Sequence, residues 1–182
     1  MSTTRTPSAK ARYDADPNAL APGPRQAHDT IVAWRGMFSP PYRVLIESPD
    51  VALAVEQLSS LLWSGSLAPS TLEAVFLVVA RRLRCAEQWR RHEAKARAAG
   101  VTAQEVDAIS KGLPPAGAPE TRAACVIAKR LLAGQRIGRD LFADGERWLG
   151  KRGMGELCAF VGVASIVAAS INLQDILPAA AS

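Results

Sequence analysis

The sequence is poor in aromatic residues and has no β-type alternation. Only 5% of its residues are aromatic, and hydrophobic residues, mostly Ala, Leu and Val, make up 48%. That composition favours close-packed helices over a β-sandwich, which would be richer in Val, Ile, Tyr and Thr. No run alternates with period 2, and no repeat has a solenoid period. At 182 residues the chain is long enough for one domain with a core and too short for two ordinary ones.

Cysteine pairs are also missing. The three cysteines, Cys85, Cys125 and Cys158, form no CxxC motif and are odd in number. This argues against a secreted disulfide framework and predicts a cytoplasmic protein. Cys125 and Cys158 lie in apolar runs and are expected to pack in the core.

No membrane segment is expected. The first 25 residues lack the apolar stretch of a signal peptide. From Leu157 to Gln174 there is no charge for 18 residues, which is borderline for a membrane span. Because this segment contains Gly, Ser, Asn and Gln, we expect a buried central or interface helix.

Helix signals follow one another after a polar start. Residues 1–27 are rich in Pro, Ser, Thr, Ala and Arg and predict an extended or flexible N-terminal arm before a helical domain at 28–182. Ser48-Pro49-Asp50 is typical of a helix start, and Ser70-x-x-Glu73 and Thr102-x-x-Glu105 have capping-box spacing. Pro69 opens the helix that contains Glu73. Other predicted helices cover 28–37, 49–63, 85–99, 102–112, 119–133, 139–149 and 153–176. The prediction is an all-α bundle of about eight helices.

Positive charge is concentrated in residues 81–97. Seven cations against two acids give this stretch a net charge of +5, equal to that of the whole chain. A solvated helix surface is the ordinary interpretation. The alternative is a local field that attracts an anionic substrate. Nucleic acid is not an expected partner, because no zinc spacing, aromatic-rich strand or helix-turn-helix signal accompanies the charges.

One helix face carries chemically useful side chains. Cys85, Gln88, Trp89 and His92 are spaced three or four residues apart, so they share a face of one helix. A thiol, an amide, an aromatic ring and an imidazole in one line could form the lining of a pocket. The alternatives are a structural His, a Cys acting as a small hydrophobe and a core Trp. The other histidine, His28, has no partner pattern and is expected at the surface.

Glu73 can join this face only if the chain reverses. On one straight helix Glu73 and His92 would lie about 28 Å apart, at about 1.5 Å per residue. A hairpin near Arg82–Arg84 would place them opposite each other, because the midpoint of 73 and 92 falls there. Otherwise Glu73 is donated by another subunit, or it only caps its own helix.

These residues resemble the carboxymuconolactone decarboxylase and alkylhydroperoxidase D superfamily. The resemblance covers roughly 30–176 and is carried by Glu73, by C-A-E-Q-W-R-R-H from Cys85 to His92, and by the following A-R-A-A-G-V-T-A-Q-E-V-D-A-I. In the peroxidase branch a Glu precedes Cys-x-x-Cys and a His four residues later. Gln88 occupies the second Cys position, so a dithiol cycle within the motif is excluded.

The resemblance implies two kinds of activity and a third, inactive possibility. The decarboxylase-like branch implies cofactor-free acid–base chemistry without a metal, with His92 as general acid or base tuned by Glu73. Cys85 is the third catalytic candidate. Gln88 and Trp89 would then bind a small anionic substrate, and Arg81, Arg84 or Arg91 would hold its carboxylate. The runner-up is a peroxidase that uses Cys85 with an external thiol, and the third is a non-catalytic member. The resemblance also implies a homotrimer or a homohexamer.

Overall fold

The computed structural model describes residue 13 and residues 16–174, and this part of the chain contains helices and no strand. After a short 3-10 helix at Pro17–Ala19, eight α-helices follow: α1 (Pro22–Arg35), α2 (Tyr42–Leu45), α3 (Pro49–Trp63), α4 (Pro69–Arg82), α5 (Ala86–Ala98), α6 (Ala103–Ser110), α7 (Pro119–Leu132) and α8 (Arg139–Gln174). The last helix is broken at Gly150, whose φ of 67° is left-handed. The all-α prediction is confirmed, including the interruption between 149 and 153.

The N-terminal boundary differs from the prediction. Helix α1 begins at Pro22, six residues before the predicted start at 28. Proline suits the first turn of a helix, where its missing N–H would have had no partner, so Pro22 and Pro24 extend this helix upstream. The predicted arm at 1–27 therefore includes helical residues, and its positions 1–12, 14 and 15 lie outside the described residues.

Only one of the two predicted capping boxes forms. The Thr102 hydroxyl accepts from the Glu105 N–H at 3.3 Å, and Glu105 in turn accepts from the Thr102 N–H at 2.8 Å. The prediction of a capping box at Ser70 is wrong. The N-cap of α4 is Ala68, so Ser70 lies within the first turn of the helix. Ser48 precedes α3 as predicted, but its side chain makes no capping bond.

Helix α4 lies at the centre of the bundle and packs against α5, α6, α7 and α8. Its Leu72, Val75, Leu77 and Val79 are essentially inaccessible to solvent. Such burial of contiguous apolar surface is the main source of stability in a fold of this size. The α4–α5 pair is therefore packed against the rest of the bundle through α4.

The apolar part of α8 belongs to the same core. Leu157, Phe160, Ala164 and Ala168 are fully buried against the neighbouring helices. By length and composition alone α8 could cross a membrane, but 44% of its most apolar window is buried inside the protein. The prediction of a buried central or interface helix is confirmed for the face of α8 that packs in this core, whereas the opposite face, with Ile166 and Leu173, is exposed.

A second, smaller core joins α1, α2 and α3. It contains Ile31, Tyr42 and Ile46. The prediction that His28 is a surface residue is wrong: only 9% of it is exposed, and its ring lies 4.4 Å from that of Phe38. The reason is its position on α1, because His28 lies one turn before the buried Ile31 and shares the helix face that packs into this core.

Candidate active site

The chain reverses between α4 and α5, as the hairpin hypothesis requires. The Cys85 N–H donates to the carbonyl of Ala80 at 2.8 Å, and the Arg84 N–H donates to that of Arg81 at 3.2 Å. Together with a left-handed Arg84, whose φ is 52°, these bonds form a Schellman motif. Among the described residues Arg84 is the only non-glycine with positive φ.

The turn brings Glu73 and His92 together within one chain. Glu73 Oε2 lies 2.7 Å from His92 Nδ1, and the two side chains are only 7% and 12% exposed. The geometric part of the prediction is confirmed: no second subunit is needed to supply Glu73. Capping is also not its role, since its carboxylate is turned toward α5.

An aromatic stack holds the imidazole from one side. The Phe76 ring lies 3.9 Å from the His92 ring, with only 12° between the two planes. Phe76 is in turn held edge-on by Phe160 at 4.9 Å and stacks with Trp63 at 6.0 Å. The sequence reasoning missed these three residues. Phe76 could have been found, because it lies one turn after Glu73 on the same face of α4.

The second ring nitrogen of His92 remains available. Nδ1 is bonded to Glu73, whereas Nε2 has no hydrogen-bond partner among the described residues. It is also not one of the buried polar atoms that lack a partner. Nε2 is therefore not fully buried, and it is free of protein hydrogen bonds.

Gln88 is the most unusual polar residue near this pair. Its side chain is completely buried, one turn before His92 on α5. Neither its amide nitrogen nor its amide oxygen has a hydrogen-bond partner among the described residues. Buried polar groups are nearly always paired, so this amide is a candidate for a hydrogen bond to a ligand or to a buried water.

Cys85 lies at the start of α5 and borders a small cavity. The cavity has a volume of about 270 Å³ and is also lined by Arg81, Arg84, Trp89 and Ser110. Cys85 itself is only 1% exposed. Burial raises the pKa of its thiol, although the backbone N–H groups of Gln88 and Glu87 act in the opposite direction. The resting thiol is therefore mostly protonated at neutral pH.

The predicted site residues thus fall into two groups. Cys85, Trp89, Arg81 and Arg84 line the cavity, whereas Glu73, Gln88 and His92 lie farther along the α4–α5 interface and do not line it. The indole N–H of Trp89 donates to Glu93 at 3.0 Å, so this ring is fixed in place.

Much of the predicted positive field is neutralised within α5. Glu87 accepts from Arg90 at 2.8 Å and from Arg91 at 2.5 Å, and Arg97 pairs with Glu93. The hydrogen bond from Arg90, with that from Arg91, lowers the pKa of the Glu87 carboxyl. Arg91 is thus already engaged and does not line the cavity.

The two remaining cysteines differ from each other. Cys125 is buried, as expected, and burial raises the pKa of its thiol to about 12. The prediction that Cys158 packs in the core is wrong, because this side of α8 is exposed. An apolar run on a helix cannot show by itself which residues face the solvent.

These observations define an all-helical bundle with a buried Glu–His pair across a helical hairpin. Residues 49–130 match the model of the carboxymuconolactone decarboxylase family, which confirms the resemblance seen in the sequence. This segment extends from α3 to α7 and contains every predicted site residue. No curated protein matches the chain at a significant level.

Solved structures show the same fold. The apo debrominase Bmp8 superimposes with a TM-score of 0.67 at 15% identity, over 88% of both chains. A Cys-to-Ala variant of Bmp8 in complex with 2,3,4-tribromopyrrole gives a TM-score of 0.71 at 13% identity, over 97% of this chain and 95% of the other. At such low identity the likeness concerns the fold alone.

Proposed function

We propose that the protein is a cofactor-free acid–base enzyme of the decarboxylase-like type, acting on a small anionic organic molecule. The observation that carries the proposal is the 2.7 Å contact between Glu73 and His92. A carboxylate bonded to one imidazole nitrogen fixes the orientation and the tautomer of the ring, and it leaves the other nitrogen for the substrate. With Nδ1–H donating to Glu73, Nε2 is the atom that accepts or returns a proton.

The surroundings of the imidazole support this role. The stacked Phe76 ring fixes the plane of the His92 ring, so the Nε2 lone pair points in one direction. A general acid or base held in this way contributes about 10²- to 10⁴-fold to a rate. Gln88 lies one turn before His92 on α5, and its buried, unpartnered amide is the group that we assign to an enolate oxygen of a bound substrate.

The cavity at the turn supplies groups for the substrate's carboxylate. Arg81 and Arg84 line it beside the indole of Trp89, and guanidinium groups bind carboxylates through charge-assisted hydrogen bonds. Cys85 and His92 are about 10 Å apart along α5, at about 1.5 Å per residue. A substrate held by Arg84 would therefore extend along α5 toward His92.

Single substitutions separate this proposal from the others. On a panel of lactone acids, we expect His92→Ala to abolish turnover and Glu73→Gln to reduce it at least about tenfold. Cys85→Ala should retain turnover, because the thiol takes no part in proton transfer. Full activity of His92→Ala would contradict the proposal. If all three variants changed only the melting temperature, the non-catalytic interpretation would stand.

A thiol-based function is the second candidate, and the cavity beside Cys85 favours it. The Bmp8 complex shows that a related fold accepts a small halogenated aromatic molecule when a cysteine is replaced. Because Gln88 replaces the second thiol, an external thiol would have to reduce the oxidised cysteine. Peroxide-dependent sulfenic acid trapping at Cys85, or bromide release from 2,3,4-tribromopyrrole with dithiothreitol, would support this candidate if Cys85→Ala abolished it.

We also propose that the protein is a cytoplasmic homo-oligomer, a trimer or a hexamer. Large apolar side chains are exposed along the α1–α3 side of the bundle, including Trp34, Met37, Leu58 and Leu61. Trp34 and Leu61 border the same surface depression, and exposed apolar patches are typical of subunit interfaces. Light scattering after size-exclusion chromatography measures the mass directly, and a 19.4 kDa monomer would contradict the proposal.

A further inference from the structure

A larger cavity lies on the other side of Arg81, between α4, α6 and α7. Its volume is about 500 Å³, within the range of small-molecule sites. It is separate from the groups to which the proposed function assigns the chemistry: Glu73, Gln88, Cys85 and His92 do not line it. Arg81 is the one predicted site residue that borders both cavities.

The cavity is lined by basic and apolar side chains. Four cations surround the cavity, namely Arg81, Arg82, Lys129 and Arg130, and no acidic side chain lines it. None of the four forms an ion pair among the described residues, in contrast to Arg90, Arg91 and Arg97 on α5. The apolar part of the lining comes from Val78, Ile109, Leu113 and Val126.

Two of the cations are held in place by the backbone. Arg81 Nε donates to the carbonyl of Ser110 at 2.7 Å, and Lys129 Nζ donates to that of Gly112 at 2.8 Å. Arg130 donates to the side chain of Gln135 at 3.0 Å, and the Arg82 side chain makes no hydrogen bond among the described residues. Because the acceptors are neutral, these hydrogen bonds do not compensate the positive charges. The bonds to the backbone do fix the orientation of the Arg81 and Lys129 side chains.

A simpler interpretation is that these cations only offset the carbonyl ends of the helices. Cations near the last turn of a helix are commonly stabilising, and α4, α6 and α7 all end beside this cavity. That interpretation explains the charges, but it does not explain an open apolar cavity between them. A ligand with an anionic head and an apolar body uses both features.

We infer that this cavity binds a small amphipathic carboxylate, with its head at Arg82, Lys129 and Arg130 and its apolar body against Val78, Leu113 and Val126. The site is independent of the proposed acid–base function, so the failure of either leaves the other standing. Coulombic attraction to several unpaired cations supplies affinity for the head group, and burial of the alkyl or aryl body supplies the remainder.

Sodium octanoate is the probe, and 1-octanol is its neutral counterpart. Titration calorimetry on the full-length protein should show octanoate binding with Kd below about 1 mM at low salt, and much weaker binding of octanol. Methyl NMR should show shifts at Val78, Leu113 and Val126. Arg82→Gln and Lys129→Gln should each weaken octanoate binding about tenfold, as expected for the loss of one hydrogen bond to a charged group.

Arg122→Gln is the matched control, because Arg122 is an exposed arginine of α7 outside the cavity lining. It should leave the affinity unchanged, and Val126→Trp, which fills the cavity, should abolish binding. Unchanged melting temperatures would show that the variants are folded. The inference is overturned if octanoate does not bind, if octanol binds equally well, or if Arg122→Gln weakens binding as much as Arg82→Gln.

Discussion

Replacing Gln88 by methionine should stabilise the protein. The amide is completely buried and both of its polar atoms lack a partner, so the folded state bears the cost of removing them from water. That cost is about 1–3 kcal/mol for an unsatisfied buried polar group. Methionine is similar in length, flexible enough to fill the same space and equally suited to a helix.

The gain is measurable by thermal and chemical denaturation. For a chain of this size, each kcal/mol shifts the melting temperature by about 2–4 °C. A stabilisation of about 2 kcal/mol therefore raises it by about 4–8 °C. Circular dichroism at a fixed protein concentration is the assay, because assembly would make the transition depend on concentration.

Gln174→Met is the matched control. Gln174 is a buried amide too, but its nitrogen donates to the carbonyls of Pro40 at 2.8 Å and Ser170 at 3.0 Å. Its replacement should lower the melting temperature, since those carbonyls lose their donor. If Gln88→Met destabilised the protein to a similar extent, the amide would have a partner in solution and the reasoning would be refuted. Under the proposed function, Gln88→Met should also lose turnover, a stability–activity trade-off.

Other predictions follow from single contacts. Iodoacetamide at pH 7.5 should label the exposed Cys158 long before Cys85, whose burial raises its pKa; equal rates in peptide mass spectrometry would contradict this. The Ser66 hydroxyl and the Arg152 guanidinium both donate to Glu156 at 2.7 Å, and these bonds lower its pKa from 4.5 to about 2. The ionised carboxylate therefore stabilises the fold at neutral pH, and this contribution is lost as pH falls from about 4.5 to about 2. Glu156→Gln should therefore cost stability at pH 7, with a difference from the parent that shrinks toward pH 2 in urea titrations. Thr102→Ala should cost about 1 kcal/mol through the loss of a cap, whereas Ser70→Ala should cost clearly less; equal losses would argue against the observed caps.

Local sequence signals predicted the helices well but could not assign long-range partners. The Thr102 capping box formed because its two residues need only each other. The similar spacing at Ser70 did not form a box, because the helix starts at Pro69, two residues before the start that a Ser70 cap requires, and the Glu73 carboxylate binds His92 across the turn. Pro69 is a local signal for the earlier helix start, but nothing local to Glu73 predicts its contact with His92.

Burial was similarly hard to predict from the sequence. The positions of His28 and Cys158 depend on which face of a helix meets its neighbours, and an imperfect apolar pattern leaves that open. The orphaned amide of Gln88 and the ring stack on His92 depend on packing between helices distant in sequence. The motif predicted which residues form the pair, and the fold decides what surrounds it.

The Arg82–Arg84 turn makes the number of residues in the hairpin as important as their identity. A helix turns by about 100° and advances about 1.5 Å per residue. Deleting one residue at the turn would therefore rotate α5 against α4 by that angle and take His92 away from Glu73, although every side chain of the pair would still be present. The Glu–His contact depends on the number of residues between Glu73 and His92. It therefore tolerates changes of residue type in the turn far better than insertions or deletions there.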